Sequence, residues 1–260
     1  GQKVGMSKAS KTPAEFNVTR YLKEGENLLA VQVYRWHDGS YMEDQDFWRL
    51  TGIERDVFLH AYPKLTIWDF FLKADLDGSY KNGLFQATVD LREFSGNTFK
   101  KGLIKLELLD AAGKRVLTQQ KTFDVDGELT TVSFSGSVKN VAKWSAEKPD
   151  LYDCVLTLLD ENNRKLAVTA HKTGFRKIEI KDAKLMVNGV PVYIKGVNRH
   201  EHNDSLGHTQ NREIMMNDLK LIKQLNINAV RTCHYPNHPL FYKLCDKYGI
   251  CLLYTSDAAD

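Results

Sequence analysis

The sequence predicts a multidomain fold: β-rich for most of its length, then the opening of a parallel α/β barrel. Three observations carry this. About seven short strand-like runs, separated by turn signals, lie between residues 64 and 176. After Phe175 the text changes to strand, polar turn, helix, strand, polar turn, helix. The two polar turns are Gly196-Val197-Asn198-Arg199-His200-Glu201-His202 and Arg231-Thr232-Cys233-His234-Tyr235-Pro236-Asn237-His238-Pro239. They frame a region that holds five of the eight histidines. A parallel barrel builds its site from loops at the carboxyl ends of its strands, which is where these turns fall.

From Gly1 to about Tyr62 the chain reads as β. Leu28 to Tyr34 has the composition of a strand, and Val57 to Ala61 closes the region as another. Between them Asp38-Gly39 marks a loop that is loaded with acids and aromatics. The next strands start at Leu65, Leu84, Ile104, Val116, Thr131, Tyr152 and Lys165, with turns at Ala111-Ala112-Gly113-Lys114 and Glu161-Asn162-Asn163. That count over that length is the pattern of an immunoglobulin-like sandwich, without the Cys…Trp…Cys spacing of antibody domains. Asn188-Gly189, between Leu185-Met186-Val187 and Val190 to Ile194, predicts a tight hairpin. Asn211 to Asn226 reads as a helix with Met215, Leu219, Ile222 and Asn226 on one face and Glu213 in the first turn. Ile227 to Arg231 is a short strand, and Pro239 to Tyr248 is a second helix stopped by Gly249.

Composition narrows the function classes. The 260 residues are 42% hydrophobic and 27% charged, as in an ordinary globular protein. A net charge of +3 with no long basic run gives nucleic-acid binding no electrostatic support. No apolar run approaches the roughly 20 residues needed to span a bilayer, so no membrane partner is expected. Four cysteines without a C-x-x-C pair argue against a disulfide framework or a zinc ribbon. The first residue is not methionine, so a native start upstream is expected and both cytoplasmic and periplasmic locations stay open.

Three groups of residues carry candidate chemistry. In an extended segment His200 and His202 would share a face and could meet one ligand, a sugar or a metal ion. Arg199 reads equally well as a salt-bridge partner or a binder. Arg231 ends a strand, where a permanent cation can orient a carboxylate and keep it ionised. His234 can donate a hydrogen bond to a substrate hydroxyl, and His238 before Pro239 reads as a helix cap. The acidic loop offers Glu43, Asp44 and Asp46 beside Trp48, which suits a sugar or an alkali or alkaline-earth cation. Three readings compete: a retaining glycosidase, which needs two carboxylates about 5–5.5 Å apart; a barrel metallohydrolase using His200 and His202; and a non-catalytic carbohydrate-binding array.

The motifs together resemble the β-galactosidases of glycoside hydrolase family 2. They are Tyr34-Arg35-Trp36, Asp38-Gly39-Ser40-Tyr41, Glu43-Asp44-Gln45-Asp46-Phe47-Trp48-Arg49, Gly52-Ile53 with Arg55-Asp56-Val57, Trp144-Ser145-Ala146-Glu147 with Pro149-Asp150-Leu151-Tyr152, Gly174-Phe175-Arg176, and the two polar turns. The resemblance runs from Gly1 to Ile250. β-Glucuronidases of the same family resemble the barrel segments but not the Asp-Gln-Asp-x-Trp loop.

The resemblance implies the C-terminal part of a jelly-roll sugar-binding domain over 1–62, an immunoglobulin-like sandwich over 63–176 and the N-terminal part of a (β/α)8 barrel over 177–260. It implies retaining hydrolysis of terminal β-galactosides. Asp46 would contact the galactosyl group and ligate sodium, and Asn198 would join the substrate contacts. His200 and His234 would hydrogen-bond the sugar and stabilise the transition state, and Arg231 would stand beside the nucleophile. Neither catalytic glutamate has a match in the chain, Glu201 and Glu213 included, nor do the magnesium ligands, so the chain alone is expected to be inactive. Magnesium, sodium and a homo-oligomeric state are implied for the full-length enzyme. The segment 251–260 departs from the family pattern and resembles translated adapter DNA, so native sequence is expected to end near Ile250.

Overall fold

The computed structural model describes residues 1–9, 11–43, 46–96 and 98–254. Its strands are β1 (Leu65–Leu76), β2 (Gly83–Glu93), β3 (Lys101–Leu109), β4 (Arg115–Asp124), β5 (Leu129–Val138), β6 (Tyr152–Asp160), β7 (Lys165–Thr173), β8 (Ile178–Lys181), β9 (Lys184–Val187), β10 (Val190–Pro191), β11 (Gly196–Arg199), β12 (Ala229–Thr232) and β13 (Cys251–Tyr254). The α-helices are α1 (Gly39–Met42), α2 (Arg212–Gln224) and α3 (Pro239–Tyr248). The chain divides into two compact units. One is Gly1–Val57 with Gly196–Tyr242 and Leu252–Asp260; the other is Phe58–Lys195 with Lys243–Cys251.

The second unit holds the sandwich. One sheet has the order β1-β2-β5 and the other β4-β3-β6-β7, both antiparallel. Strand β2 shows why these residues form a sheet. Its apolar side chains recur every second position, so Phe85, Ala87, Val89 and Leu91 are buried while Leu84, Gln86 and Thr88 face out. Ile104, Leu106 and Leu108 of β3 and Cys154, Leu156 and Leu158 of β6 face them across one core. All seven predicted strands are present and longer than their apolar runs, because ladder pairing carries polar residues along.

Phe175 closes this core, packed edge-on to Tyr152 and Phe85 at centroid distances of 5.1 and 6.4 Å. A β-carbon on Gly83 would lie 2.4 Å from its ring, so a close approach requires glycine there. Beside it, Trp144 donates from Nε1 to the Asp246 carbonyl at 2.8 Å, and Arg176 lies over the indole at 5.1 Å. The motifs around Trp144 and Phe175 are therefore structural joints. The Asn188-Gly189 hairpin is observed between β9 and β10, both residues in the left-handed region that a tight hairpin needs.

The first unit departs from expectation over residues 1–57. The strands predicted at Leu28–Tyr34 and, running into the next unit, at Val57–Ala61 do not form. Among the described residues before Leu65 there is only a 3₁₀ turn, Thr19–Tyr21, and the single turn α1 where a loop was predicted. A strand is stable only when a neighbour pairs with its backbone. Here the apolar side chains are exposed, Leu28 at 97%. The same unit contains β11 and β12, which are parallel, in a sheet of order β11-β12-β13.

Helix α2 forms as its caps dictate. The Asn211 side chain accepts from the Ile214 N–H at 2.9 Å, and Met215, Leu219 and Ile222 form the buried face. Asn226, predicted on that face, is exposed and lies beyond the helix at φ 55°. It takes the left-handed position of a Schellman stop, with Asn226 N–H donating to Lys223 O and Ile227 N–H to Ile222 O.

Candidate functional site

The site is built where β11 and β12 end. Their register pairs Asn198 with Arg231 and Arg199 with Thr232. Register partners in a sheet share a face, so Asn198 and Arg231 lie on one side and Arg199 and Thr232 on the other. The second side is buried, with Arg199 at 7% and Thr232 at 2% exposure.

Arg199 is a structural clamp. Its guanidinium pairs with Asp218 of α2 at 2.8 Å, donates to Asn237 Oδ1 at 3.1 Å and Gln210 Oε1 at 2.9 Å, and lies 4.1 Å above the Phe241 ring. Those contacts decide between the two roles its sequence allowed. Asn237 carries the clamp into the second turn, donating to the Tyr235 carbonyl at 3.1 Å. His238 caps the start of α3, its Nδ1 accepting from the Leu240 N–H at 3.1 Å.

A second framework lies behind the first turn. Glu201 is fully buried, ion-paired with Arg55, and accepts from the His238 N–H at 2.6 Å. Tyr235 is buried, and its hydroxyl accepts from the Glu201 N–H at 2.9 Å. Burial pushes that phenol up to about 12. The ring nitrogens of buried His208 lie 2.7 Å from the Glu201 carbonyl oxygen and 2.6 Å from that of Trp48. Sequence reading gave no role to Tyr235, His208 or Arg55, although Tyr235 lies in the second polar turn and Arg55 in the Arg55-Asp56-Val57 motif.

On this framework stand His200 and His234, half-buried, with ring centroids 5.9 Å apart. The Tyr235 ring is 6.2 Å from His200. Burial and then the neighbouring His234 imidazole hold His200 below the ordinary histidine range, while Asp46 acts in the opposite sense. Asp46 is exposed, and Asp44 lies outside the described residues. Arg231 Nη1 reaches Cys233 Sγ at 3.7 Å.

His200 and His202, which the sequence left open as a shared-ligand pair, do not fall in one group. His202 is exposed and packs on Trp48, centroids 3.9 Å apart. Among the described residues the three-residue group able to hold a metal ion is His200, Cys233 and His234, without His202. Asp46 is not part of that group. Two half-buried imidazoles, an arginine and an asparagine at one strand end can bind and polarise hydroxyls.

Three domain models together match almost the whole chain: "Glycosyl hydrolases family 2, sugar binding domain" over 1–63, "Glycosyl hydrolases family 2" over 65–176, and "Glycosyl hydrolases family 2, TIM barrel domain" over 178–259. The chain belongs to glycosyl hydrolases family 2. Among its curated relatives, a β-galactosidase of Photobacterium profundum is 44% identical, aligned over 100% of this chain and 25% of that protein. One from Priestia megaterium is 43% identical over 97% of this chain and 25% of that protein. The chain thus spans about a quarter of the length of the curated family 2 relatives it matches. A Bacteroides uniformis β-glucuronidase structure superposes with a TM-score of 0.74 at 24% identity, over 80% of this chain and 26% of the other. At that identity it speaks for the family 2 fold alone. The multidomain fold class read from the sequence is that of the family.

Proposed function

We propose that this chain forms one wall of the sugar site of a retaining β-galactosidase. The observation that carries the reading is the convergence of His200 and His234 at the ends of adjacent parallel strands. Identity of 44% to a β-galactosidase along the whole chain supports galactose as the sugar. In this reading the two imidazoles donate to sugar hydroxyls, more strongly as charge develops in the transition state. Arg231 orients the nucleophilic carboxylate, and Asn198 and Asp46 contact the galactosyl group. One glutamic acid protonates the leaving oxygen, and a second glutamate forms the covalent galactosyl-enzyme.

Both glutamates are proposed to come from outside these residues. Glu201 cannot serve, because its carboxylate is held in the core by Arg55 and the His238 amide. Magnesium would be held outside this chain too. Asp46 would bring one oxygen of a sodium shell, and no step here depends on it. A homo-oligomer is proposed for the full-length protein on the same likeness.

The test is hydrolysis by the full-length protein. Nitrophenyl β-galactoside should be cleaved with retention at the anomeric carbon, and far faster than the β-glucuronide. Inversion, or preference for the glucuronide, overturns the proposal. The 260-residue chain alone should cleave neither.

A further inference from the structure

Cys233 stands between two residues already assigned to the sugar, and nothing in that assignment uses it. Its thiol is unoxidised and buried, 1% exposed. One ligand atom from each of His200, Cys233 and His234 lies within 4.8 Å of the other two. We propose that these three side chains form a site for a soft divalent cation of the zinc class.

The donor set selects the metal. Two imidazole nitrogens and one sulfur suit zinc, cobalt or cadmium and disfavour magnesium or sodium. Two nitrogens and a sulfur at about 2.0–2.3 Å around a tetrahedral ion stand roughly 3.3–3.6 Å from one another. Closing from the observed spacing needs movement on the order of 1 Å, within reach of side-chain rotation. The two histidines are half-buried, which leaves the fourth position to water. The scaffold beneath is fixed: β11 and β12 pair through Arg199 and Thr232, immediately before His200 and Cys233.

The surroundings also set the strength. Cys233 Sγ donates to the Arg231 carbonyl at 3.5 Å and accepts from Arg231 Nη1 at 3.7 Å. Binding therefore releases the thiol proton to solvent, forms a metal–sulfur bond and displaces waters from the ion. The Arg231 cation opposes a second cation beside it. The site is one that fills when metal is supplied and empties to a chelator, rather than a structural zinc. Bound metal would occupy both imidazoles that the galactoside reading gives to the sugar. That consequence, competition with substrate, rests on the galactoside reading, whereas the metal site does not.

Cobalt(II) reports thiolate coordination through a sulfur-to-metal charge-transfer band. The 260-residue chain should develop this band to one equivalent, and EDTA should abolish it. C233S should lose the band and H202A should keep it. H234Q should lose more than about 100-fold in affinity, since even outer-shell changes cost about 10–100-fold. Absence of the band in the wild type, or its survival in C233S, overturns the site. Should C233S misfold, alkylation of the wild-type chain decides: zinc must slow modification of Cys233 and not of Cys251. In the full-length enzyme zinc should raise KM for the galactoside and leave kcat unchanged. Metal binding without that rise would sustain the site and refute the competition.

Discussion

Arg199 and Arg231 sit on neighbouring strands near the same ends, and their surroundings give them opposite work. Arg199 has its guanidinium satisfied by Asp218, Asn237 and Gln210 and is buried over Phe241. Arg231 lies on the other face, in register with Asn198. R199M should therefore cost on the order of 2–3 kcal/mol, the worth of buried hydrogen bonds to a charged group. R231M should cost clearly less stability while damaging hydrolysis in the full-length enzyme. Urea unfolding of both variants checks this, and equal destabilisation would refute the division. For His200, burial comes first among the causes that lower its pKa. The unfolded chain then binds the proton more tightly, so stability is complete at neutral pH and falls as pH drops below about 6.5 toward the folded value. NMR titration should place the His200 midpoint below that ordinary value, and H200N should flatten the acid limb of stability against pH.

Helix ends give the sharpest contrast among the elements. Asn226 and Gly249 each occupy the left-handed position after a helix, at φ 55° and 71°. Asn226 is exposed, so N226G should change stability by no more than a few tenths of a kcal/mol. A β-carbon on Gly249 would lie 2.3 Å from the Ala146 carbonyl oxygen. G249A should cost at least about 1–2 kcal/mol from the left-handed conformation alone, with the clash in addition. Calorimetry of the two variants separates them, and a neutral G249A would show that the backbone there can relax. The Gly249 stop was legible because capping is local chemistry, whereas Asn226 reads in the sequence as part of the helix face and not as its stop. The sandwich strands and the Asn188-Gly189 hairpin were legible for the same reason, through alternation and turn residues. Of the two readings open for His200 and His202, the structure favours the one in which they do different work, because β11 ends at Arg199 and alternation does not continue past a strand's end. The encounter of His200 with His234 followed from parallel topology, whereas Tyr235, His208 and Arg55 join through contacts distant in sequence that no local pattern encodes.

At the scale of the whole chain, order and burial are unevenly shared. The sandwich has two paired sheets around one core, with Val89, Ile104, Leu106 and Leu158 wholly excluded from water. Residues 1–57 have, among those described, no ladder hydrogen bonds, and Leu28, Tyr34, Tyr41 and Met42 are largely exposed. Amide protection follows the free energy of local opening, which is near zero where backbone groups already face water and reaches the global value in core strands. Hydrogen exchange on the isolated chain should therefore find the slowest amides in β2, β3 and β6. Exchange across 22–36 should be close to that of an unstructured peptide, with β11 and β12 between these extremes because their face toward α2 is buried. The apolar residues of 22–36 are strand-like in composition and need a partner strand to become protected. Protection there equal to that of β3 would mean that the isolated chain supplies such a partner, for instance by pairing two copies. In that case protection would fall on dilution, which distinguishes pairing between copies from a ladder closed within one chain.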